Sequence, residues 1–479
     1  MNYQASQHID NNKVFIVQRS EIEGRLEPEF YKPSIADLEK TIREKSSHKL
    51  RDYALSVSGG ATPKKTEGDK YYADKETGVP FLRVQNLNTD GTLSFDDCLY
   101  INKETHEGML SRSQVSEGDL LVKITGVGRM AIASVAPEGF IGNTNQHMVV
   151  IKTGNKEISK YLARYLNLDI IEKIASRHST GGTRPALDYP SVKNLPIIEG
   201  IDFSPIDRAI ELKKQKEIEA QKLLNSIDAY ILNELGITLP EIKTDLKSRM
   251  FIVNRSELEA RLDPYFSQDY FKEAFSALFR GKYPVHSIKE LSTLITSGIT
   301  PKSGGEAYTE DKENGVPFIR SGNIDINGDI DFEDLLYIKP DIHETIMKSS
   351  QVKKNDLMIA IVGATIGQVG IYLDNREANI NQAIALVRLK KGNDVQYIKE
   401  IIRSEVGQLS LNRLKRPVAR ANINLEEISS IKVPLPPLIK QQEIANHISA
   451  IRQHTKLLQE EGQTILENAK KEVEQMILS

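Results

Sequence analysis

The sequence predicts an α+β fold: two duplicated globular domains separated by two long helices, which form an antiparallel coiled coil about a pseudo-twofold axis. Three observations predict it. The segment that begins at Phe15 returns at Phe251, about half the chain later. Each copy of the repeat is followed by a long segment whose apolar residues recur every three or four positions. Short β-branched segments between glycine, asparagine and aspartate turns fill the rest of each copy, as in mixed domains.

The repeat can be aligned residue by residue. The letters FIVQRSEIEGRLEPEF, residues 15–30, return as FIVNRSELEARLDPYF, residues 251–266. A period of this length indicates a duplicated domain rather than a solenoid of short repeats. The segments that correspond further along are Thr62–Lys64 and Thr300–Lys302, Gly78–Arg83 and Gly315–Arg320, Leu99–Ile101 and Leu336–Ile338, Ser113–Val115 and Ser350–Val352, and Asn145–Gln146 and Asn381–Gln382.

Each copy is predicted to be a compact α+β module of about 180 residues, within the usual size of a domain. In the first copy, Ile35, Leu38 and Ile42 predict a short helix after Pro33. A further helix is predicted over Ser159–Ala175. The strands predicted from β-branched residues are Val79–Val84, Leu120–Thr125, Met130–Val135 and His147–Lys152.

The first long helix is predicted over Pro205–Leu235, a stretch without internal glycine or proline. Pro205 and Gly236 stand where the start and the end of a helix favour these residues. Lys213 and Glu217 interrupt its apolar stripe, which comprises Ile206, Ile210, Ala220, Leu224, Ile227 and Ile231.

The second long helix is predicted from Pro437 to the C-terminus. Its apolar residues keep a coiled-coil spacing, with alternating steps of three and four. This stripe comprises Ile444, Ile448, Ile451, Thr455, Leu458, Gly462, Ile465 and Ala469.

An apolar stripe must be buried against another surface. Each helix could pack on its own module or pair with another protein. The likeness of the two stripes and their equivalent places in the duplication favour pairing with each other. The residues predicted at that interface are Ile210, Leu224, Ile227, Ile231, Ile444, Ile448, Ile451, Leu458 and Ile465. The predicted order is a first module over residues 1–200, a central helix over 201–246, a second module over 247–436 and a distal helix over 437–479.

Composition places the chain among ordinary globular proteins, with 39% hydrophobic and 27% charged residues. The formal net charge is −3, so any DNA contact must come from a local basic surface. Cys98 is the one cysteine in the sequence, which excludes internal disulfides and cysteine-rich zinc sites. The N-terminus is polar, and no apolar run reaches the ~18 residues of a membrane span. A cytoplasmic location without membrane contact is predicted.

Catalytic signatures are absent from the sequence. It contains no P-loop, no HExxH and no GxSxG motif. The glycine clusters Gly126–Gly128 and Gly363–Gly367 predict tight turns between strands. The acidic pairs Asp96–Asp97 and Glu333–Asp334 predict solvated turns, because no third metal ligand lies at a telling spacing. We therefore expect no catalysis, metal or cofactor in this chain.

The remaining polar chemistry suits DNA. Arg83–Asn88 and its counterpart Arg320–Asp325 each end a strand and enter a loop. Both contain arginine and asparagine, and the first also contains Gln85; these side chains bind base edges through paired hydrogen bonds. The loops Arg177–Arg184 and Arg413–Arg420 are basic and suit phosphates. A surface ion pair is an equally good interpretation of any single arginine. The predicted DNA-binding residues are Lys65, Arg83, Gln85, Asn86, Lys123, Arg129, Arg177, Arg184, Arg320, Asn323, Lys415, Arg416 and Arg420.

The duplication divides these candidates. If the modules read different sequences, residues identical in both copies cannot discriminate between bases. Arg83 with Arg320 and Asn86 with Asn323 are then scaffold or phosphate contacts, as are the two Asn–Gln pairs. The positions that differ are candidates for base reading: Lys65 and Ser303, Gln85 and Gly322, Lys123 and Ala360, and the two basic loops.

This organisation resembles the specificity subunits of type I restriction–modification systems over essentially the whole chain. The order module, helix, module, helix carries the resemblance, together with the turns Ser297–Pro301 and Gly60–Pro63. The phrase VPLPPLIKQQEI, residues 433–444, which leads into the last helix, is especially typical. The first copy departs from the pattern, because Leu195–Gly200 lacks the double proline.

The resemblance implies two target-recognition domains that each read one half of a split, asymmetric site in double-stranded DNA. It implies that the helices set the gap between the halves and dock two adenine-methyltransferase subunits. Translocase–nuclease subunits would join the full complex. S-adenosylmethionine, ATP and Mg²⁺ would belong to those partners, and none to this chain.

Three alternatives remain open from the sequence. The chain could serve a fused or other defence-type methylation system. It could be a DNA-acting enzyme with an unrecognised site, for example a nuclease. It could also be a coiled-coil scaffold, which absence of DNA binding by the partner complex would favour.

Overall fold

The computed structural model describes residues 10, 13–64, 68–243, 245, 250–254, 264–302, 305–325, 327–414 and 422–479, without the side chains of residues 68, 69 and 364. The chain forms two compact units. The first comprises Met1–Glu217 and Gln459–Ser479, and the second comprises Ile218–Leu458. Each unit therefore contains one copy of the repeat and a part of each long helix.

The first unit is built on two four-stranded sheets. Its strands are β1 (His48–Lys49), β2 (Ser56–Gly59), β3 (Val79–Leu82), β4 (Leu99–Ile101), β5 (Gln114–Ser116), β6 (Leu120–Lys123), β7 (Ala133–Val135), β8 (Ile141–Thr144), β9 (Met148–Lys152) and β10 (Pro196–Ile197). One sheet has the antiparallel order β2-β9-β6-β7. The other has the order β4-β3-β8-β5, in which β3 and β8 are parallel. A short ladder joins β1 to β10.

The helices of the first copy are distributed over the two sheets. They are α1 (Pro33–Lys45), α2 (Gly68–Tyr71), α3 (Lys103–Glu107), α4 (Lys156–Leu166), α5 (Asp169–Arg177), α6 (Tyr189–Lys193) and the long α7 (Ser204–Leu235). Leu120 and Val122 of β6 pack with α1, α4, α5, α6 and α7, whereas Leu121 packs with Leu82 of the second sheet. Because both faces of β6 are covered, Leu120–Val122 are apolar without alternation.

The single helix predicted over Ser159–Ala175 is wrong, since α4 and α5 are separate helices. Asn167, which is 1% exposed, ends α4. Its side-chain amide donates to the carbonyl oxygen of Ala133 at 2.7 Å, and its Oδ1 accepts from the Ala133 amide at 3.1 Å. Asparagine competes with helical hydrogen bonding in this way, and Leu168 then adopts an extended backbone.

The second unit repeats these sheets. Its strands are β11 (Val285–Ser287), β12 (Ser292–Ser297), β13 (Tyr308–Thr309), β14 (Val316–Ile319), β15 (Leu336–Ile338), β16 (Gln351–Val352), β17 (Leu357–Ala360), β18 (Val369–Ile371), β19 (Ala378–Ile380), β20 (Ile384–Leu389) and β21 (Lys432–Pro434). The order β12-β20-β17-β18 matches β2-β9-β6-β7. The other sheet, β13-β15-β14-β19-β16, again has its parallel pair, β14 and β19, in the middle.

The helices of the second unit are α8 (Asp269–Phe279), α9 (Ile288–Leu291), α10 (Pro340–Glu344), α11 (Val395–Arg403), α12 (Glu405–Leu414), α13 (Leu425–Ser430) and the long α14 (Leu438–Leu478), whose last part lies in the first unit. As in the first copy, Leu357 and Ile359 of β17 pack with helices, whereas Met358 packs with the other sheet. The predicted duplication of a mixed α+β module is thereby confirmed.

Within the first unit, α7 and α14 run antiparallel. Lys216 of α7 forms an ion pair with Glu461 of α14 at 2.7 Å. Nearer the start of α7, Ile206 shares a core cluster with Val473, which lies nearer the end of α14. Residue numbers therefore increase along α7 in the direction in which they decrease along α14, as in an antiparallel pair.

The second unit shows the same relation between the other parts of the two helices. Tyr230 contacts the ring of His447 with 4.1 Å between ring centroids, and Glu234 pairs with Lys440 at 2.8 Å. The antiparallel pairing predicted from the two stripes is confirmed in each unit separately. Among the predicted interface residues, Ile227, Ile231, Ile444, Ile448 and Leu458 are buried, and Ile210, Leu224, Ile451 and Ile465 are partly buried against the core clusters.

The break in the first stripe has a structural reason. Gly462 of α14 lies against Lys213 of α7, and a Cβ added to this glycine would lie 3.3 Å from the Lys213 Cα atom. The ammonium of Lys213 turns aside to Asp90 and Glu217, at 3.1 Å from each carboxylate. The glycine therefore permits a close approach of the two helices where one of them carries a lysine.

Candidate nucleic-acid interface

The parallel strands of each module bring two polar turns to one edge. In the first module, β3 and β8 end at Leu82 and Thr144, and the amide of Asn145 donates to the Leu82 carbonyl oxygen at 3.2 Å. In the second module, Asn381 donates to Ile319 at 3.0 Å in the same way. Strands that run in the same direction place the turns that follow them side by side.

The turn after β3 is held by Asn86 and Asp97. Asn86 is 1% exposed, and its Oδ1 accepts from the Arg83 amide at 2.7 Å. The Arg83 guanidinium donates to the Asp97 carboxylate at 3.0 Å, and the exposed Gln85 donates to the same carboxylate at 2.6 Å. Asn86 therefore shapes the turn from inside, whereas Gln85 lies at the surface.

The second module builds the same turn. Asn323 accepts from the Arg320 amide at 2.9 Å, and Arg320 donates to the Asp334 carboxylate at 3.0 Å. The sequence predicted solvated turns for both acidic pairs, and the role of Asp97 and Asp334 as arginine partners emerges from the structure. The signal was available, because both aspartates follow their arginine at the same distance along the chain.

A threonine–proline turn packs beside this edge in both modules. Thr62 donates from Oγ1 to Oε1 of Gln146, and Thr300 donates in the same way to Gln382. Gly60 precedes the first turn, and a Cβ at this position would lie 1.8 Å from the Thr144 carbonyl oxygen, so glycine alone fits there. Lys65 lies outside the described residues.

The first basic loop reaches the same edge as a hairpin. Thr180 and Ala186 form a β-bridge. Ala186 also forms a β-bridge with Thr125, which precedes the turn Gly126–Gly128, called the glycine turn below. The Gly126 amide donates to the Pro185 carbonyl oxygen at 3.0 Å, and Arg184 is exposed at the tip. In the second module, Val362 and Asn422 form the corresponding bridge. Lys415, Arg416 and Arg420 lie outside the described residues.

Arg177 lies at the other end of its loop and faces inward. It donates from Nε to the Phe30 carbonyl oxygen at 2.6 Å, lies over the Phe30 ring and pairs with Glu39. Burial opposes ionisation of Glu39, but hydrogen bonds from His178, Arg177 and Arg43 lower its pKa to about 2. Arg177 is thus an anchor between elements of the module.

In the second module, Arg413 takes the place of the anchor Arg177, and an aromatic ring takes the place of the Glu39 carboxylate. Arg413 donates to the Phe266 carbonyl oxygen at 3.1 Å and lies over the rings of Phe266 and Phe275. Phe275 occupies the position of Glu39 in the repeat.

Lys123 and Arg129 also bind protein groups. Lys123 is 4% exposed, and its Nζ donates to the Val127 carbonyl oxygen at 2.8 Å. Arg129 pairs with Asp169 and donates to the Asn167 carbonyl oxygen at 2.6 Å. Both residues support the glycine turn from beneath, so the surface beside Arg184 consists of the turn itself.

Tyr189, which the sequence analysis did not single out, completes this edge of the first module. Its hydroxyl lies where a side chain at Gly59 would be, 1.8 Å from the position of an added Cβ. The second module has Leu425 at this position of the repeat, so the aromatic group is specific to the first module.

No group of three or more histidine, cysteine, aspartate or glutamate side chains in the described residues could hold a metal ion. No helix in the part of the chain that the structure describes is both long and apolar enough to cross a bilayer.

Two modules of one fold, each with polar turns where its two parallel strands end, define the class of a duplicated recognition protein. The sequence profile of one protein family matches residues 47–198 and 281–467 of this chain. That family is described as "Type I restriction modification DNA specificity domain". The matches cover well over half of the chain. The protein therefore belongs to the family of type I restriction–modification DNA specificity subunits, whose role is the recognition of a DNA sequence.

The individual proteins that this chain resembles have low sequence identity to it. The EcoBI specificity subunit of Escherichia coli is 32% identical over 143 residues, which are 30% of this chain and 30% of that protein. The MjaVIII specificity subunit of Methanocaldococcus jannaschii is 24% identical over 76% of this chain and 79% of its own. The HsdS subunit from Thermoanaerobacter tengcongensis is 14% identical, with a TM-score of 0.35 over 90% of this chain and 95% of its own. The family assignment rests on the sequence matches.

Proposed function

We propose that this chain recognises a split, asymmetric site in double-stranded DNA, with each module reading one half. It acts in the cytoplasm as the non-catalytic specificity subunit of a complex. Two methyltransferase subunits and, in the restriction complex, translocase–nuclease subunits supply the chemistry together with S-adenosylmethionine, ATP and Mg²⁺. The proposed modules span residues 1–200 and 247–436, and the helical regions over 201–246 and 437–479 set the gap and dock the methyltransferases.

One observation carries the division of reading. Both modules build the same turns with the same residues, Arg83 with Asn86 and Arg320 with Asn323, but differ in what lies at the surface of those turns. Gln85 is exposed in the first module, and Gly322 takes its place in the second. A shared scaffold with different surface groups supports two readers of two different sequences.

Exchange of the first module tests this division. Residues 20–200 are replaced by the equivalent module of a relative, and the variant is assembled with its methyltransferase subunits. We expect one half of the methylated site to change, while the other half and the gap stay as they were, because the exchanged residues contain the turns of the first module and leave the second module and both long helices in place. Sequencing of methylated adenines across the host genome measures both halves. A change in both halves of the methylated site, or in neither half while the complex still methylates DNA, would contradict the proposal that each module reads its half independently.

Arg184 is the strongest phosphate candidate among the described residues. It is exposed at the tip of a hairpin whose neighbours are glycines and a threonine. We expect Arg184→Ala to weaken binding to all sequences alike and to lower the slope of log K against log salt by about one. Titration of the complex with specific and nonspecific duplexes at several salt concentrations measures this slope.

Lys156 provides the matched control for that titration. It is a partly exposed cation of the same module, paired with Glu117 at 2.9 Å, and it follows the end of β9 opposite to the turns. Lys156→Ala should leave the salt slope unchanged. An equal fall in both variants would mean that Arg184 acts through general charge rather than through a phosphate contact.

A further inference from the structure

The glycine turn of the first module presents an apolar side chain at its tip. Val127 is 77% exposed, although it lies between residues of a well-buried strand and a buried segment. Gly126 and Gly128 flank it with φ angles of +120° and +78°, which residues with a side chain rarely adopt. The backbone of this turn therefore directs the valine outward.

The turn is held in place from several sides. The buried Lys123 donates to the carbonyl oxygen of Val127 itself, at 2.8 Å. The Gly126 amide is bound by Pro185, and Arg129 closes the turn through Asp169. Burial lowers the pKa of Lys123, which shows that enclosing this ammonium is unfavourable for the charge. Such an arrangement holds a tip in one position before a ligand arrives, and this reduces the ordering cost of binding.

The surroundings of Val127 indicate the kind of ligand. The Arg184 hairpin pairs with the glycine turn through Thr125, and Ile124 donates to the His147 carbonyl oxygen at 2.9 Å, next to Gln146. A branched apolar group thus lies on a turn whose backbone is bonded to segments that carry a cation, Arg184, and an amide, Gln146. In the major groove, the apolar group at a base edge is the 5-methyl of thymine, beside the acceptors and donors that polar side chains bind.

We infer that Val127 is a specificity-determining residue whose side chain contacts the 5-methyl group of a thymine in the half-site of the first module. This inference rests on the proposed function of that module. The second module differs at both key positions, because Ala364 replaces Val127 and Ala360 replaces Lys123, and its turn Gly363–Thr365 is a short 3₁₀ helix. The two half-sites should therefore differ in their dependence on thymine methyl groups.

Deoxyuridine provides the direct test, since it lacks the methyl group and keeps the hydrogen-bonding edge of thymine. Duplexes carrying the mapped site are prepared with each thymine of the first half replaced singly by deoxyuridine. We expect one replacement to weaken binding of the wild-type complex about three- to five-fold, the effect of removing one buried carbon. Val127→Ala should bind the thymine and deoxyuridine duplexes with nearly equal affinity.

Ile141→Ala is the matched control variant. Ile141 is an exposed apolar residue, 61% exposed, at the start of β8, and the turns follow the other end of that strand. This variant should keep the wild-type preference for thymine. A half-site without an A·T pair, a wild-type complex indifferent to every replacement, or a Val127→Ala complex with the full preference would overturn the inference.

Three outcomes separate this inference from the function on which it rests. If Val127→Ala weakens assembly with the methyltransferase subunits and the complex that still forms keeps its thymine preference, Val127 contacts protein and the inference is wrong. If the wild-type complex binds no DNA sequence preferentially, the proposed function itself fails. If the wild-type complex binds a specific sequence but its affinity depends on no thymine methyl group, the proposed function holds and the inference about Val127 is wrong.

Discussion

Ile231→Asp is expected to unfold the second unit. Ile231 of α7 is fully buried in a cluster with Leu235, Ile444 and Ile448. Truncation of a buried isoleucine to alanine costs about 2–5 kcal/mol, and an unpaired carboxylate in the same place adds several kcal/mol more. A loss of this size is comparable with the total stability of about 5–15 kcal/mol of a typical domain. Urea unfolding followed by circular dichroism measures it.

The matched control lies on the same helix and in the same unit. Ile218 is 60% exposed, so Ile218→Asp should change the free energy of unfolding by less than about 0.5 kcal/mol. The first unit offers a second pair: Val473 of α14 is fully buried, and Leu212 of α7 is 47% exposed. If Ile231→Asp and Val473→Asp unfolded at the same urea concentration as Ile218→Asp and Leu212→Asp, burial of the apolar stripes would not stabilise the packing of α7 and α14.

A paired insertion in the two long helices is expected to change the gap of the DNA site. An insertion within Ser226–Asn233 of α7 alone would move Ile231 and Leu235 out of their cluster, since each would shift by a helical turn. Both helices pass from one unit into the other, α7 at Glu217 and Ile218, and α14 at Leu458 and Gln459. Four residues inserted at both places preserve the antiparallel register on either side.

Four residues lengthen a helix by ~6 Å and add little more than one turn. If the helices set the gap, the gap should grow by one or two base pairs, at about 3.4 Å each, while both half-sequences stay unchanged. Two residues inserted at both places rotate one side by roughly half a turn and should abolish methylation. Mapping of methylated adenines measures both variants. An active complex with the original gap after the four-residue insertion would refute the role of the helices as a spacer.

The fold was largely accessible from the sequence because its main signals are periodic and duplicated. Apolar residues at steps of three and four predicted α7 and α14, whose observed bounds are Ser204–Leu235 and Leu438–Leu478. The division between α4 and α5 was not accessible, because it depends on hydrogen bonds between Asn167 and Ala133, which are far apart in sequence. Local propensity cannot register a partner that only the folded chain supplies.

The candidate interface was accessible in part. Basic and amide residues predicted its loops, but the direction of each side chain depends on neighbours from other elements. Arg177 binds Phe30 and Glu39, and Lys123 binds Val127, whereas Arg184 and Gln85 reach the surface. A basic residue in sequence can therefore be an internal anchor or a DNA contact, and burial is what separates the two.

By itself, the sequence determined that the chain is duplicated, that its modules are mixed α+β domains, and that two long helices carry matching apolar stripes. These properties follow from spacing along one chain, which repeats and helical periods record directly. The tertiary structure alone decided which polar groups are exposed, which turns meet at one edge, and that Val127 lies at the tip of a supported glycine turn. Those properties depend on contacts between distant residues such as Gly126 and Pro185, and no local pattern encodes which distant carbonyl oxygen an amide will bind.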